Sequence, residues 1–206
     1  MKIAVFVSGG GTNLQAIIDN TIDGILKDIE ITLVLSSSKD AYALERAANN
    51  GIRSAVVSRK DFDSIEKWDE AVVDEVERSG AELIVLAGYL SLLGPKIVSR
   101  YSNRIINIHP ALIPSFCGAG MYGIRPHKAA LAKGVKVSGA TVHFVNENYD
   151  DGPILLQKAV DVLPNDTPES LQKRIMKECE WILLPQAIRL IADGRVVIEN
   201  NICHIR

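Results

Sequence analysis

Short apolar runs alternate with amphipathic stretches over the first half of the chain. Residues 2–7, 30–35, 54–57, 82–87 and 104–108 read as strands. Between them the spacing predicts helices over 13–20, 41–50 and 61–78, with Gly51 and Gly80 as stops. Strands separated by helices of this length imply βαβ crossovers and a parallel sheet covered on both faces. The pattern changes after Pro114. Residues 115–123 hold three glycines and little periodicity, which predicts a loop, and 124–133 reads as a short helix. Residues 139–145 and 154–162 read as strands joined by a polar link short enough for an antiparallel pair. Asp166-Thr167-Pro168-Glu169 is a helix start, with a cap, a proline just inside and an acid in the first turn. That helix runs towards Gly194 with an expected break at Pro185, and 196–198 and 202–205 close as a small hairpin. There is no repeat, low-complexity tract or linker. The expectation is one α/β, Rossmann-like domain over 1–206, made of halves 1–100 and 101–206. Its central sheet would be mostly parallel, with antiparallel strands from the C-terminal part.

Composition narrows the partners. The 206 residues carry a net charge of −2 and 47% are hydrophobic, so a large core is available without a basic stripe for nucleic acid. No run is long enough to span a bilayer, and the apolar start at 3–7 is too short for a secretion signal. The three cysteines, Cys117, Cys179 and Cys203, are scattered, with neither metal spacing nor a disulfide framework. They point to a reduced, cytoplasmic compartment.

The most informative segment is Asn107-Ile108-His109-Pro110, at the end of an apolar strand. Period-two geometry sends Asn107 and His109 to the same side of the backbone. Pro110 and Pro114 keep the following chain extended. An amide and an imidazole presented together can bind a developing oxyanion and handle a proton, which is the chemistry of acyl or formyl transfer. The plainer alternative for His109 is a hydrogen-bonded core residue.

Other positions carry two readings each. Ser8-Gly9-Gly10-Gly11-Thr12-Asn13 follows the first strand and opens a helix. Free amides there can hold a phosphate, or the segment is a tight turn with Thr12 as cap. It is neither a P-loop nor a dinucleotide fingerprint. Asp150 lies in a turn-forming Asp150-Asp151-Gly152-Pro153 sequence, where it is structural unless it meets His109. His143, alternating with Thr141 in a strand, reads as packed and hydrogen-bonded. His127 reads as a surface residue at a helix start and His204 as peripheral, while Cys117 reads as a loop cysteine rather than a nucleophile.

Taken together, several motifs resemble the phosphoribosylglycinamide formyltransferases, folate-dependent enzymes of purine synthesis. They are Ser8-Gly9-x-Gly11-Thr12-Asn13, Ala87-Gly88-Tyr89, Asn107-x-His109-Pro110, Gly139-x-Thr141-Val142-His143 and Asp150-x-Gly152-Pro153. The resemblance covers nearly the whole chain and implies a formyltransferase fold. It implies Asn107, His109 and Asp150 as catalytic residues, with Asp150 keeping the imidazole of His109 charged, and Thr141 and His143 behind them. Gly10, Gly11, Thr12 and Asn13 would hold the phosphate of glycinamide ribonucleotide, with Lys177 and Glu180 as further substrate contacts. The co-substrate 10-formyltetrahydrofolate would lie along Tyr89, Leu90, Ser91, Leu92 and Leu93 and against Val145, Asn146 and Glu147. No metal is implied, nor a nucleic-acid or membrane partner, and the chain would act as a monomer or homodimer. Three departures stand out. Ser91 replaces an arginine common in the family, the loop 116–127 is longer than usual, and the late helix carries one extra residue between Asp166 and Pro185.

Overall fold

The apolar run that opens the chain becomes β1 (Lys2–Val7), and Ile3 to Val7 are fully buried. A strand apolar on both faces needs cover on both, which helical crossovers supply. The structure, a computed structural model, describes residues 1–206 and divides into two units, 1–106 and 107–206. In the first unit α1 (Thr12–Ile22) leads to β2 (Glu30–Ser36), and α2 (Ala43–Asn49) to β3 (Ser54–Val56). Then α3 (Ile65–Ser79) leads to β4 (Leu83–Leu86), and α4 (Pro95–Arg100) to β5 (Ile105–His109). The order β3-β2-β1-β4 is parallel throughout.

Helix α3 starts at Ile65 rather than in the short turn Arg59–Asp61, because Ser64 caps it by accepting from Lys67 N–H. Its buried face, Trp68, Val72 and Val76, repeats every four residues. Each of these side chains contributes about 1.5–3 kcal/mol by leaving water. Asp69 on the same helix is also buried, and it explains α4, which no local pattern announces. Its carboxylate accepts from the N–H groups of Lys96 (2.7 Å) and Ile97 (3.2 Å) and so caps α4 from another element. A side chain at Gly94 would run into that carboxylate.

The second unit contains α5 (Arg125–Lys133) and the antiparallel pair β6 (Val137–Phe144) and β7 (Ile154–Asp161). After them come α6 (Pro168–Ile175), a π turn over Met176–Glu180 and α7 (Trp181–Ala192). Thr167 and Ser170 form the capping box of α6. The expected break at Pro185 does not occur. The helix continues through it, with the widened π turn just before, where the carbonyl spacing is already relaxed. A π turn takes one residue more than an α turn. Last come β8 (Val196–Glu199) and β9 (Ile202–Ile205), joined by Asn200 and Asn201 at φ 51° and 63°. Two positive φ values in succession make the mirror-image turn that hairpins favour.

Strands β1 to β7 form a mostly parallel seven-stranded sheet, with β8 and β9 as a separate antiparallel pair. The boundary between the units falls inside β5, between Ile106 and Asn107, a few residues beyond the expected division. No helix is long and apolar enough to cross a membrane.

Candidate active site

The second unit brings Asn107, His109, Thr141, His143 and Asp150 together. His109 is buried and Asn107 half-buried on β5. His143 stands on β6 and gives its Nδ1–H to the Phe144 carbonyl at 2.9 Å, since a carbonyl only accepts. In the neutral ring Nε2 therefore carries a lone pair, which accepts from the Asn107 amide Nδ2 at 3.1 Å. That bond fixes which way Asn107 points, and the second amide hydrogen stays available as a donor.

His109 lies between two acceptors. Its Nε2–H donates to the Phe116 carbonyl at 2.9 Å, and its Nδ1 is 3.6 Å from Asp150 Oδ2. Two acceptors match the imidazolium fully and the neutral ring only on one side. Burial nevertheless holds the His109 pKa below the ordinary imidazole value, against the upward pull of Asp150 and the Phe116 carbonyl. The expectation that Asp150 keeps this ring charged sets its carboxylate against that cost of burial. The carboxylate opposes the cost of burial without overcoming it.

Asp150 is held by its turn. It adopts φ 50°, a left-handed conformation that Asp tolerates better than most residues. Its Oδ2 accepts from Gly118 N–H at 2.8 Å, and its Oδ1 is 3.5 Å from His143 Nε2. Burial pushes the carboxyl up, but His143, the Gly118 N–H and His109 together bring it below the usual carboxylate value. Gly152 closes the turn where any side chain would meet the Phe144 carbonyl.

Thr141 secures the chain after His109. Its hydroxyl donates to the Ala111 carbonyl (2.7 Å) and accepts from Ile113 N–H (3.1 Å) and Gln157 Nε2 (3.0 Å), which uses its full capacity. The Ile113–Pro114 bond in this stretch is cis. The loop that follows serves the site through its backbone, with the Phe116 carbonyl on His109 and the Gly118 N–H on Asp150. Backbone groups leave no signature in residue type, so the sequence does not show these contacts; its one signal is the glycine at 118, which takes φ 88°. Cys117 gives its thiol hydrogen to the Pro114 carbonyl, and burial, then Asp150, raise its pKa, which disfavours the thiolate a nucleophile needs.

His127 is not on the surface. It is 1% exposed in the first turn of α5, and neither ring nitrogen has a hydrogen-bond partner. Burial, and after it the charge of His109, lower its pKa to about 4. The polar neighbours Arg125 and Lys128 hid this burial at the sequence level.

The first unit holds the glycine loop. Gly11, at φ 69°, is the N-cap of α1 without a side-chain cap, and Thr12 is the first helical residue, so Thr12 is not the cap. Gly9 and Gly10 are exposed, Thr12 is half-buried and Asn13 buried. The Leu90 N–H donates to Ser8 Oγ at 2.8 Å, tying the start of this loop to the 89–93 stretch. Tyr89 is buried edge-on against Phe6, with ring centres 5.2 Å apart. Leu90 and Leu92, by contrast, are 56% and 58% exposed. Ser91 and Leu93 lie between these extremes. In the second unit Val145 and Asn146 are half-buried and Glu147 exposed, while the π turn carries exposed Lys177 and buried Glu180. No group of three or more His, Cys, Asp or Glu side chains is arranged to hold a metal ion.

An α/β fold with Asn, His and Asp gathered beside the end of β5 is the plan of a formyl-handling enzyme, and the chain belongs to the formyl transferase family, whose model matches residues 1–188. Within that family its relatives include phosphoribosylglycinamide formyltransferases. The one from Haemophilus influenzae is 39% identical over 99% of this chain and 93% of its own length. A chloroplastic one from Arabidopsis thaliana is 42% identical over 95% of this chain, which spans 66% of that relative. Among solved structures, glycinamide ribonucleotide transformylase 1 from Symbiobacterium toebii is 42% identical, with TM-score 0.93 over 100% of this chain and 93% of that one. A formyltetrahydrofolate deformylase from Pseudomonas syringae shares the fold at 27% identity and TM-score 0.88, with 65% of that chain covered.

Proposed function

We propose that this chain transfers the formyl group of 10-formyltetrahydrofolate to the amine of glycinamide ribonucleotide. The observation that carries the reading is the convergence of Asn107, His109 and Asp150, each oriented by its own hydrogen bond. A protein that only bound folate or nucleotide would need no such set.

The amine nitrogen attacks the formyl carbon, and the carbonyl electron pair moves to oxygen. The free N–H of Asn107 stabilises that oxyanion. Neutral His109 takes the amine proton at Nδ1 and becomes an imidazolium between the Phe116 carbonyl and Asp150, the two acceptors that suit it. The carbon–nitrogen bond to the folate then breaks, and the leaving nitrogen takes the proton back from His109. Gly10, Gly11, Thr12 and Asn13 of the first unit bind the ribonucleotide phosphate at the start of α1. The exposed Leu90 and Leu92 give an apolar strip for the pterin, and Ser91 gives the folate tail no cation there. Val145, Asn146 and Glu147 offer the folate backbone polar groups, and Lys177 and Glu180 contact the ribonucleotide. The setting is cytoplasmic, and the chain works as a monomer or homodimer on small molecules alone.

The test is substitution of Asn107 by Leu. The expected result is a fall in turnover of about 10²–10³-fold with folate binding, followed by fluorescence, retained. Turnover unchanged in this variant overturns the assigned mechanism.

A further inference from the structure

The phosphate loop has amides and a helix dipole but no cation of its own. Residues 8–13 are uncharged, and the first turn of α1 holds neither an acid nor a base that would serve one. A phosphate monoester carries close to two negative charges near neutral pH. Helix α2 supplies what the loop lacks. Its start packs directly on the loop, because Ala43 N–H donates to the Gly9 carbonyl at 3.0 Å and a side chain at Gly11 would lie 2.6 Å from Ala43 Cβ. One turn further on, Arg46 reaches back. Its Nε donates to the Gly10 carbonyl at 2.8 Å, and its Nη1 to Gln15 Oε1 at 2.9 Å. Its guanidinium carbon is 5.0 Å from the centre of the Tyr42 ring.

These contacts lock the guanidinium in place and leave its charge intact. They are a carbonyl, an amide oxygen and an aromatic ring, and none is a carboxylate. Arg53, Arg78, Arg100 and Arg189 each face a carboxylate instead. The nearest acid in the Arg46 network is Asp19, and the Gln15 amide stands between, its Nε2 donating to Asp19 Oδ1 at 2.8 Å. Gln15 thereby turns its oxygen towards Arg46. A planar, permanently charged group with donors to spare, fixed on a phosphate loop, is suited to a phosphate oxygen.

We propose that Arg46 is the specificity residue of the phosphate site and sets the preference for a phosphorylated over an unphosphorylated amine substrate. The inference rests on the reading of the glycine loop given under the proposed function. The test compares kcat/KM for glycinamide ribonucleotide with kcat/KM for glycinamide riboside, using 10-formyltetrahydrofolate as donor. In Arg46→Gln this ratio falls about tenfold or more, through KM for the ribonucleotide, and Arg46→Lys restores part of it. A ratio unchanged in Arg46→Gln, with both substrates losing in parallel, overturns the proposal and leaves Arg46 as a brace for the loop. A second measurement does not depend on turnover. Inorganic phosphate should protect the native protein against thermal unfolding more than it protects Arg46→Gln, and equal protection overturns the proposal. If the native enzyme itself prefers neither substrate, the phosphate-loop reading fails first and the Arg46 assignment falls with it.

Discussion

His127 turns burial into a pH dependence that can be measured. Its imidazole is buried, lacks partners at both nitrogens, and has a pKa lowered to about 4. In the unfolded chain the same group titrates near 6.5, roughly the value for any exposed histidine. Between those values the unfolded state holds a proton that the folded state refuses, so stability rises with pH there. At pH 7.5 both states are neutral and nothing is lost. At pH 5 the linkage costs the native state about 2 kcal/mol, and the loss levels off near 3 kcal/mol once pH passes below 4. His109, also lowered, adds to the loss with the same sign. Replacing His127 by Phe keeps a ring and removes the titration. Urea unfolding at pH 7.5, 6.5 and 5 for both proteins isolates the effect of His127 together with its coupling to His109, because the other two histidines cancel in the difference. The native chain should lose about 2 kcal/mol more than His127→Phe between pH 7.5 and 5, equivalent to roughly 4–8 °C in Tm. Parallel curves would show that His127 takes up its proton readily in the fold and that its burial has been misjudged.

Three further outcomes follow from the site and its supports. His109→Asn should lower kcat by about 10²–10⁴-fold with little change in KM for the ribonucleotide, read by steady-state kinetics. Thr141→Val removes a hydroxyl with three partners and should cost about 1–3 kcal/mol in denaturant unfolding, with a fall in kcat as the chain after His109 loosens. Gly152→Ala should cost about 1–3 kcal/mol or more, because the added carbon meets the Phe144 carbonyl, and the turn holding Asp150 should lose activity with it.

Where the physics is local, the sequence carried the fold well. Alternating apolar strands and amphipathic helices gave the mostly parallel sheet, and the cap, proline and acid at 166–169 marked the start of α6. Asn107 and His109 were legible because strand geometry alone sets them on one side. What escaped depends on distant chain. Helix α4 is capped by Asp69, which lies 27 residues before Lys96, so no window around 95–100 reveals it. His127 sits among polar neighbours and is buried by tertiary packing. The contacts on His109 and Asp150 from Phe116 and Gly118 are made by backbone, whose chemistry is the same at every residue. Thr12 and Pro185 misled for a related reason. Gly11 could take the left-handed cap position itself, and the π turn let the late helix pass through its proline.

The most direct test of the central claim is to follow loss of the formyl group from 10-formyltetrahydrofolate with and without glycinamide ribonucleotide. The account predicts turnover only when the ribonucleotide is present, with the formyl carbon recovered on its amine. Equal deformylation without the ribonucleotide would contradict it and make water, not the amine, the acceptor at His109.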